Sequence, residues 1–396
     1  MLKDKNIILG ITGSIAAYKI ANLASMLKKE GANVEVIMTK NATEFITPLT
    51  FETLTGNKCY TDTFDRDFKF EVEHISLAKK ADVCLVAPAS ANVIGKVSNG
   101  IADDMLTTTI MAMKCPVIFS PAMNTNMFEN AIVQDNIEKL KFFNYEVIEP
   151  AKGYLACGDT GAGKMPDPEV LYEYIEKALS PKDLVGKKIV VTAGPTQESL
   201  DPVRYLTNHS TGKMGCAIAK AAAFRGAEVT LISGQMQAKA PDCVKNVNVV
   251  SAQDMFEAVK EAFPSADIII KSAAVADYTP ENFVDHKIKK KDEDMSIPLK
   301  RTEDILKWLG DNKREDQIIV GFAMETDNVI ENSRAKLSKK NADMIVANSL
   351  RTDGAGFGTD TNVVTIITEE VDEELPKMSK FDVANEIINR ILEIEK

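Results

Sequence analysis

The sequence has little that would suit a secreted or membrane-spanning protein. No apolar run is long enough to cross a bilayer. The first residues, MLKDKNIILG, pass at once from charge into a short apolar run and do not form a signal-peptide pattern. The 6 cysteines among 396 residues are scattered, which excludes a disulfide framework and fits reduced thiols. We therefore expect a cytoplasmic protein with no membrane partner.

The chain also lacks an excess of positive charge. It has 47 lysine and arginine residues against 58 aspartate and glutamate residues, which gives a net charge of −11. This balance argues against a general nucleic-acid or membrane-surface protein. The basic run KIKKK, from Lys287 to Lys291, is therefore a local feature. No close group of cysteine and histidine predicts a zinc site or another metal held by the protein alone.

What the chain does contain is one pattern that occurs twice. KNIILGITGS near the start and KKIVVTAGPT near the middle are short β-branched runs that end in a glycine-containing turn and precede a helical pattern. GANVEVIMT then matches GAEVTLISG, and ADVCLVAPAS matches ADIIIKSAAV. Continuous apolar strands that alternate with helices predict parallel sheets covered on both faces.

We therefore predict an α/β protein of two doubly wound, mostly parallel, Rossmann-like domains. A chain of 396 residues is long enough for two domains. The segment SPKDLVG joins them, which gives a first domain at 1–180, a linker at 181–186 and a second domain at 187–396. Ligands bind at the carboxyl ends of the strands in such folds, so the turns there should carry the chemistry.

The stretch GDTGAGKM, from Gly158 to Met165, has the spacing of a phosphate-binding P-loop. A P-loop also needs a preceding strand, a following helix and a hydroxyl for Mg²⁺. Met165 cannot bind the metal, and the next residues, PDP, interrupt a helix. We expect the match to be a coincidence.

Polar turns follow three strands of the first half. In GITGSIAAYK, Gly13 and Ser14 stand between a strand and a helix, where backbone N–H groups favour an anion, although a simple capped turn explains them equally well. Ser90 in PASANVIGK could bind a ligand or cap a helix. Asn124 in SPAMNTNMFEN could orient a substrate carboxylate or form a turn.

The second half has a longer polar turn and a set of lysines. The turn from Gly194 to Gly215 carries Arg204 and Asn208 and is either an anion site or a surface loop. Lys336 and Lys340 share a helix face at a spacing that costs a few tenths of a kcal/mol, so a polyphosphate between them is a plausible compensation. Asp277 follows a strand, and Phe322 is predicted at the end of another strand.

The ordered set is more specific than any single motif. GSIAAYK, EHISLAKKADV, PASAN, PAMNTNM and YLACGDTGAGKMPDP resemble the homo-oligomeric flavin-containing cysteine decarboxylases. With the second half included, nearly the whole chain resembles the bifunctional phosphopantothenoylcysteine decarboxylase/phosphopantothenate–cysteine ligase family of coenzyme A biosynthesis. One departure is Phe128, where the family usually has tryptophan; phenylalanine keeps an aromatic wall but lacks the indole N–H.

For the first half, the resemblance implies decarboxylation with FMN. The flavin oxidises the cysteine thiol to a thioaldehyde, whose C=S group accepts the electrons as CO₂ leaves. His74 is then the base for the oxidation, Asn124 binds the departing carboxylate, and Cys157, on a clamp over the substrate, is the proton donor. The FMN contacts implied are Gly13, Ser14, Ser90, Asn92, Thr107 and Met123.

For the second half, the resemblance implies coupling of 4′-phosphopantothenate to cysteine through an acyl-cytidylate formed from CTP with Mg²⁺ or Mn²⁺. Asn208 contacts the acyl intermediate, Arg204 supports its loop, and Ala274 packs against it. Lys287, and less securely Lys289, assist the second step. The nucleotide site implied consists of Asp277, Lys287, Phe322, Lys336 and Lys340.

The resemblance also implies an assembly. We expect a homo-oligomer, a dodecamer built from trimers with FMN between subunits and from dimers of the second domain.

Two rival functions are considered. One rival is a flavin-dependent decarboxylase of peptidyl cysteine, against which the ligase motifs argue. The other is a flavin-binding regulatory subunit without turnover. Such subunits typically lack the base or the clamp cysteine, and this chain has both His74 and Cys157.

Overall fold

Each half of the chain folds around its own parallel sheet. The structure is a computed structural model that describes residues 2–64, 72–154, 158, 160–289, 296–325, 328–349, 356 and 358–394. The chain divides into two units, Met1–Ser180 and Pro181–Lys396.

The first unit contains eight strands and eight α-helices within its described residues. The strands are β1 (Asn6–Ile11), β2 (Asn33–Met38), β3 (Cys59–Tyr60), β4 (Val83–Ala89), β5 (Val117–Pro121), β6 (Glu146–Val147), β7 (Ala151–Tyr154) and β8 (Thr160–Lys164). The helices are α1 (Tyr18–Lys29), α2 (Pro48–Thr55), α3 (Glu73–Lys80), α4 (Ala91–Ser98), α5 (Met105–Ala112), α6 (Thr125–Phe128), α7 (Ala131–Phe142) and α8 (Pro168–Leu179).

The second unit repeats this alternation and adds short antiparallel pairs. Its strands are β9 (Lys188–Ala193), β10 (Gln197–Ser199), β11 (Tyr205–Thr207), β12 (Glu228–Ser233), β13 (Lys245–Asn248), β14 (Ile268–Lys271), β15 (Tyr278–Pro280), β16 (Leu299–Arg301), β17 (Ile318–Glu325), β18 (Met344–Ser349), β19 (Thr361–Asn362), β20 (Val364–Ile367), β21 (Asp372–Glu374) and β22 (Met378–Ser379). Its helices are α9 (Lys213–Phe224), α10 (Ala252–Ala262), α11 (Ile305–Asn312), α12 (Val329–Lys340) and α13 (Lys380–Ile394).

The two main sheets share one strand order. The first is β3-β2-β1-β4-β5-β6 and is parallel throughout. The second is β13-β12-β9-β14-β17-β18, also parallel, followed by antiparallel β20 and β21. The order reverses between β1 and β4 in the first sheet and between β9 and β14 in the second. The prediction of two doubly wound, mostly parallel domains is confirmed.

Apolar side chains on both faces of the strands explain why helices cover both faces. Ile7 and Leu9 of β1 pack in one core with α1 and α8, whereas Ile8 packs in a second core with α4 and α5. All seven residues of β4 are buried. Such strands have no face that could contact water, so polar groups concentrate at the strand ends.

The segment 181–186 packs with the second unit. Leu184 is fully buried in the core that includes Ile189 and Ile218. Asp183 pairs with the nearly buried Arg225 at 2.6 Å, at the end of α9. Across the described part of the chain, no helix is both long and apolar enough to cross a membrane.

Candidate functional sites at the carboxyl edges of the two sheets

A buried threonine links the two strands on either side of the reversal in the first sheet. The Thr12 hydroxyl, just after β1, donates to the Pro88 carbonyl of β4 at 2.6 Å and accepts from the Ser90 N–H at 2.9 Å. This pair of bonds holds the β1–α1 turn against the start of α4. Gly13 lies in that turn, where a Cβ would be 2.7 Å from the Cβ of Asn41 after β2. The turns after β1, β2 and β4 therefore form one edge.

The predicted anion turn is also a capped helix start. The Ser14 side chain accepts from Ala16 N–H and begins the 3-10 turn Ile15–Ala17. The Ser90 side chain accepts from Val93 N–H and caps α4. Asn92 is exposed in the first turn of α4. Capping uses the side-chain oxygens, so any ligand here would be bound by backbone N–H groups and by donating hydroxyls.

Thr107 has a different position from the other predicted contacts. It is fully buried in the first turn of α5. Its hydroxyl donates to Asp104 Oδ1 at 2.9 Å, and Asp104 Oδ1 accepts from the Thr107 N–H at 2.8 Å. This capping box satisfies the hydroxyl within the chain. The neighbouring Leu106 packs on Gly10, so the same turn covers the end of β1.

A β-hairpin lies against the Asn124 turn. Strands β7 and β8 pair antiparallel, and the Met123 N–H donates to the Gly163 carbonyl at 3.0 Å. Gly163 has φ +127°, and a Cβ there would be 2.3 Å from the Met123 carbonyl oxygen. At Gly161 a Cβ would be 2.5 Å from the Thr125 hydroxyl. Glycine is thus required where the hairpin contacts the turn.

This hairpin accounts for the P-loop spacing. Thr160–Lys164 of GDTGAGKM is strand β8, not a loop that wraps phosphate before a helix. The next helix, α8, begins at Pro168, and proline is favoured in the first turn of a helix. No helix covers residues 165–167, as the PDP sequence predicts, and the rejection of a P-loop is confirmed. Cys157, the predicted proton donor, lies outside the described residues.

Asn124 and His74 both lie at helix starts. The half-buried Asn124 accepts from the Asn126 N–H at 2.8 Å and caps α6. His74, also half-buried, is the second residue of α3. The far end of this helix, Lys80, pairs with Glu35 in β2, so its first turn is directed towards the carboxyl edge. The first unit therefore brings most of its predicted residues to one edge.

The described cysteines with shifted pKa values are poor candidates for chemistry. Burial raises the pKa of Cys59 to about 12 and that of Cys216 to about 11. Burial also raises the pKa of Cys84 and of Cys115. None of these four thiols is a ready thiolate at neutral pH, which fits packing roles.

In the second unit, a turn after β9 brings two predicted residues together. The Asn208 side-chain amide donates to the Ala274 carbonyl at 3.0 Å. The Ala274 N–H donates to the Gly194 carbonyl at 3.0 Å, across the reversal between β9 and β14. Two buried threonine hydroxyls reinforce this junction by accepting from the N–H groups of residues after β14, Thr192 from Ala273 and Thr196 from Ala276.

A buried carboxylate that the sequence analysis missed positions the KIKKK run. Asp201 Oδ2 accepts from Arg204 at 2.6 Å and from the Ile288 N–H at 3.1 Å. Arg204 in turn donates to the Ile288 carbonyl at 3.0 Å. Both backbone groups of Ile288 are thus held, which exposes Lys287 and Lys289 on either side. The pattern D-x-x-R, Asp201 to Arg204, is the local signal that could have suggested this pair.

A second cluster gathers the predicted nucleotide residues. The Lys336 ammonium donates to the Phe322 carbonyl at 2.9 Å. Phe322, which the sequence placed at a strand end, lies within β17, because the strand continues to Glu325. Lys340 forms an ion pair with Asp304, which caps α11 and was not predicted. This carboxylate offsets the Lys336–Lys340 repulsion for which a polyphosphate was the expected compensation. Asp277 is exposed, and its carbonyl accepts from Thr302 N–H at 3.0 Å.

The loop GAGFGTDTN, to which the sequence assigned no role, is anchored at both described ends. Lys213, at the start of α9, donates to the Gly358 carbonyl at 2.8 Å and to Asp360 at 2.7 Å. Lys380 donates to the Gly356 carbonyl at 3.0 Å. Within the described part of the chain, no group of three or more metal-ligating side chains could hold a metal ion.

Each half of the chain matches a known protein family. Residues 1–180 match the family described as Flavoprotein, and residues 184–394 match the DNA/pantothenate metabolism flavoprotein C-terminal domain. The chain is therefore a two-domain α/β protein with an N-terminal flavoprotein domain.

Relatives match over the whole length. The coenzyme A biosynthesis bifunctional protein CoaBC of Bacillus subtilis (strain 168) is 50% identical over 401 residues, covering 100% of this chain and 98% of the relative. That of Borreliella burgdorferi (strain ATCC 35210 / DSM 4680 / CIP 102532 / B31) is 44% identical over 391 residues, covering 98% and 99%. A crystal structure of a CoaBC C-terminal domain is 46% identical, covers 53% of this chain and 96% of that chain, and has a TM-score of 0.46. The chain belongs to the CoaBC family of coenzyme A biosynthesis bifunctional proteins, which confirms the predicted resemblance.

The carboxyl edge of the first sheet has features that fit a flavin. Two buried hydroxyl oxygens, Thr39 Oγ1 just after β2 and Ser120 Oγ in β5, have no hydrogen-bond partner among the described residues. Buried polar atoms in proteins nearly always have a hydrogen-bond partner, so each of these two oxygens is a candidate to bond a ligand atom. The Gly13 turn adds backbone N–H groups at a helix start.

We predict that Gly163→Ala loosens the hairpin β7–β8. The added methyl group cannot fit 2.3 Å from the Met123 carbonyl, and alanine disfavours φ +127°. Limited proteolysis should cut the segment between Ala151 and Lys164 several-fold faster. Gly95→Ala, in α4, is the control, because its Cβ would have only an ordinary contact, 3.6 Å from the side-chain amide of Asn136 in α7. Equal cleavage of Gly163→Ala and the wild type would contradict the packing described.

We predict that Asp201→Asn releases the KIKKK run. Trypsin should cleave after Lys287 and Lys289 several-fold faster than in the wild type, because Asn cannot hold Arg204 as an ion pair. Asp285→Asn, an exposed carboxylate of the same loop, should leave cleavage unchanged. Unchanged cleavage of Asp201→Asn would show that the run is held in another way.

The same variant has a pH signature. The Arg204 hydrogen bond holds the pKa of Asp201 well below its usual range. Its stabilising contribution is therefore complete above the unfolded-state pKa of about 3.9 and is lost as the pH falls towards the folded-state pKa. The difference in unfolding free energy between wild type and Asp201→Asn should be constant near neutral pH and shrink below about pH 4. Denaturant unfolding across this range measures it.

Proposed function

We propose that the chain catalyses two successive steps of coenzyme A biosynthesis. The second domain couples 4′-phosphopantothenate to cysteine with CTP, and the first domain decarboxylates the product, phosphopantothenoylcysteine, to 4′-phosphopantetheine. The observation that carries this proposal is the match of both domains, in one chain, to bifunctional relatives along nearly their whole length. Because the product of one domain is the substrate of the other, the fusion has a simple chemical logic.

FMN is the flavin we propose for the first domain. When bound, it would supply the two-electron oxidation that gives the departing CO₂ a neighbouring C=S electron sink, and its reduced form would return the same two electrons as hydride after CO₂ has left. We assign its binding to the carboxyl edge, through the turns that contain Gly13, Ser14, Ser90 and Asn92, with Met123 beside them. The buried Thr107 acts indirectly, by capping the helix that covers β1.

The protein groups of the decarboxylase have distinct proposed roles. His74 takes the proton of the substrate thiol, since an imidazole nitrogen is a common general base in enzymes. Asn124 binds the carboxylate, because its oxygen is committed to the Asn126 N–H, which orients the donating NH₂ group. Cys157 returns a proton to the carbon that lost CO₂. The hairpin β7–β8, whose strands flank Cys157, meets the Asn124 turn and supports this assignment.

For the ligase, we assign the binding of the acyl-cytidylate to one group of residues and the binding of the triphosphate to another. Asn208 and Ala274, joined by a hydrogen bond, form the wall for the acyl-cytidylate, and Arg204 supports the same loop. Lys287, Lys336 and Lys340 supply cations for the triphosphate, with Phe322 of β17 beside Lys336 and Asp277 towards the cytosine. Mg²⁺ or Mn²⁺ enters with CTP, held by phosphates and one or two carboxylates. Lys287, and less directly Lys289, assist the attack of the cysteine amine.

We also propose that the protein works as a cytoplasmic homo-oligomer, a dodecamer of trimers and dimers. At the end of α7, Phe142 and Phe143 are 80% and 58% exposed, with their ring centroids 5.3 Å apart. Large apolar side chains exposed together favour contact between subunits. Analytical ultracentrifugation measures the mass directly.

One reaction followed by mass spectrometry tests the function. Purified protein with bound flavin is incubated with 4′-phosphopantothenate, cysteine, CTP and Mg²⁺. We expect 4′-phosphopantetheine, CMP, pyrophosphate and CO₂. Accumulation of phosphopantothenoylcysteine would support the ligase and overturn the decarboxylase. If nothing is consumed while flavin stays bound, the flavin-binding regulatory protein becomes the better description.

Variants of the first domain separate its two proton transfers. His74→Asn should bind flavin and accumulate phosphopantothenoylcysteine, with the ligase half as an internal control. Cys157→Ser should release CO₂ but stop at an unsaturated thiol, two hydrogens short of the product. Cys243→Ser, which changes an exposed cysteine of the other domain, is the matched control. Complete turnover by either variant would remove its assigned role.

We predict that Lys287→Gln accumulates acyl-cytidylate. The neutral side chain should slow attack by cysteine by roughly one to three orders of magnitude, as loss of a single charge-stabilising donor does in other enzymes. Quenched-flow mass spectrometry detects the intermediate. Lys245→Gln, an exposed lysine at the start of β13, is the control. Normal amide formation by Lys287→Gln would transfer the role to another lysine, with Lys289 first.

A further inference from the structure

Lys271, to which the sequence analysis gave no role, ends the central strand of the second sheet. It is the last residue of β14 and is paired with Thr192 of β9 and with Gly321 of β17. Side chains alternate along a strand, so Lys271 lies on the same face as Ile269. Ile269 packs in the core formed with α11 and α12. The Lys271 side chain is therefore directed to the face that these two helices cover.

That face is rich in charge. Lys336 of α12 donates to the carbonyl of Phe322, the residue next to the strand partner of Lys271. Lys340, one turn further along α12, is already paired with Asp304 at the start of α11. Asp277, which follows β14, is exposed. The Lys271 ammonium forms no hydrogen bond or close ion pair with any residue that the structure describes; its charged neighbours act on it only at longer range.

This environment is costly for a lone ammonium group. Burial lowers the pKa of Lys271 to about 8; Lys336 and Lys340 act in the same direction, and Asp304 and Asp277 act against it. A cation that is poorly solvated and lies near two further lysines gains most from an anion bound among them. The site lies at the carboxyl edge, at the reversal of strand order, where such folds bind ligands.

We propose that Lys271 is a nucleotide-binding residue whose ammonium contacts the triphosphate at the end of β14, beside Lys336 and Lys340. The inference rests on the proposed CTP-dependent ligase and adds to it a residue on the sheet itself. Since burial lowers the pKa of Lys271 to about 8, a share of these side chains is neutral in the free protein at mildly alkaline pH, and a bound triphosphate favours the charged form. Nucleotide binding should therefore take up a proton, and affinity should fall as the pH rises through about 8.

Isothermal titration calorimetry of the whole chain with CTP and Mg²⁺ measures both quantities. Titrations at pH 7, 8 and 9, each in two buffers of different ionisation enthalpy, report the dissociation constant and the protons taken up. For the wild type we expect uptake of roughly half a proton per CTP near pH 8 and less at pH 7. Lys271→Met should bind CTP roughly tenfold more weakly at pH 7 and lose this uptake.

Two further variants sharpen the result. Lys271→Arg should bind within a few-fold of wild type yet take up no proton, because the guanidinium is always charged. Lys188→Met changes an exposed lysine at the opposite, amino edge of the same sheet and should behave as wild type. Should Lys271→Met fail to fold, as judged by circular dichroism, the arginine variant decides by itself: loss of proton uptake supports the proposal, and retained uptake overturns it.

The titrations distinguish a failure of the role proposed for Lys271 from a failure of the proposed ligase function. A wild type that does not bind CTP would overturn the ligase proposal and this inference together. A wild type that binds CTP, with a Lys271→Met variant of equal affinity and equal proton uptake, would overturn only the role of Lys271. The predicted pattern, weaker binding in the methionine variant and pH-independent binding in the arginine variant, would support both.

Discussion

Both sites depend on one kind of interaction. A threonine hydroxyl joins the first and fourth strands of each main sheet across the reversal of strand order. In the first unit, Thr12 bonds the Pro88 carbonyl and the Ser90 N–H. In the second, Thr192 accepts from Ala273 N–H, and Thr196 accepts from Ala276 N–H. All three threonines are fully buried. The hydroxyls satisfy backbone groups where the strands separate, and the gap between the strand ends becomes a place for a ligand.

The two units differ in what they place at this edge. The first offers hydroxyls, amides and a hairpin held by Gly163, a largely neutral site suited to a flavin and a small substrate. The second places lysines at this edge, and carboxylates position them. The buried Asp201 pairs with Arg204 beside the KIKKK run, and Asp304, which caps α11, pairs with Lys340. In a chain of net charge −11, this local group of cations supports the proposed binding of a polyphosphate.

Much of the fold could be predicted because local patterns and burial agree. Ile20, Leu23, Ala24 and Leu27, spaced for one helix face, are the four buried residues of α1. The repeated strand–helix–strand pattern predicted both sheets and the edge where the polar turns meet. Asp201 and Asp304 could not be found in this way, because their partners Ile288 and Lys340 are distant in the chain. Their importance comes from contacts across the fold, which no periodicity reports.

The sequence by itself determined the class of fold, the family and the residue types available for chemistry, since these follow from periodicity and from motifs in a fixed order. Only the tertiary structure decided how those residues are held. It made Thr160–Lys164 a strand and not a P-loop, because glycines there let the hairpin approach the Asn124 turn. It also turned Lys271, the end of an apolar run in the sequence, into a charge beside Lys336, because two helices cover that face of the sheet.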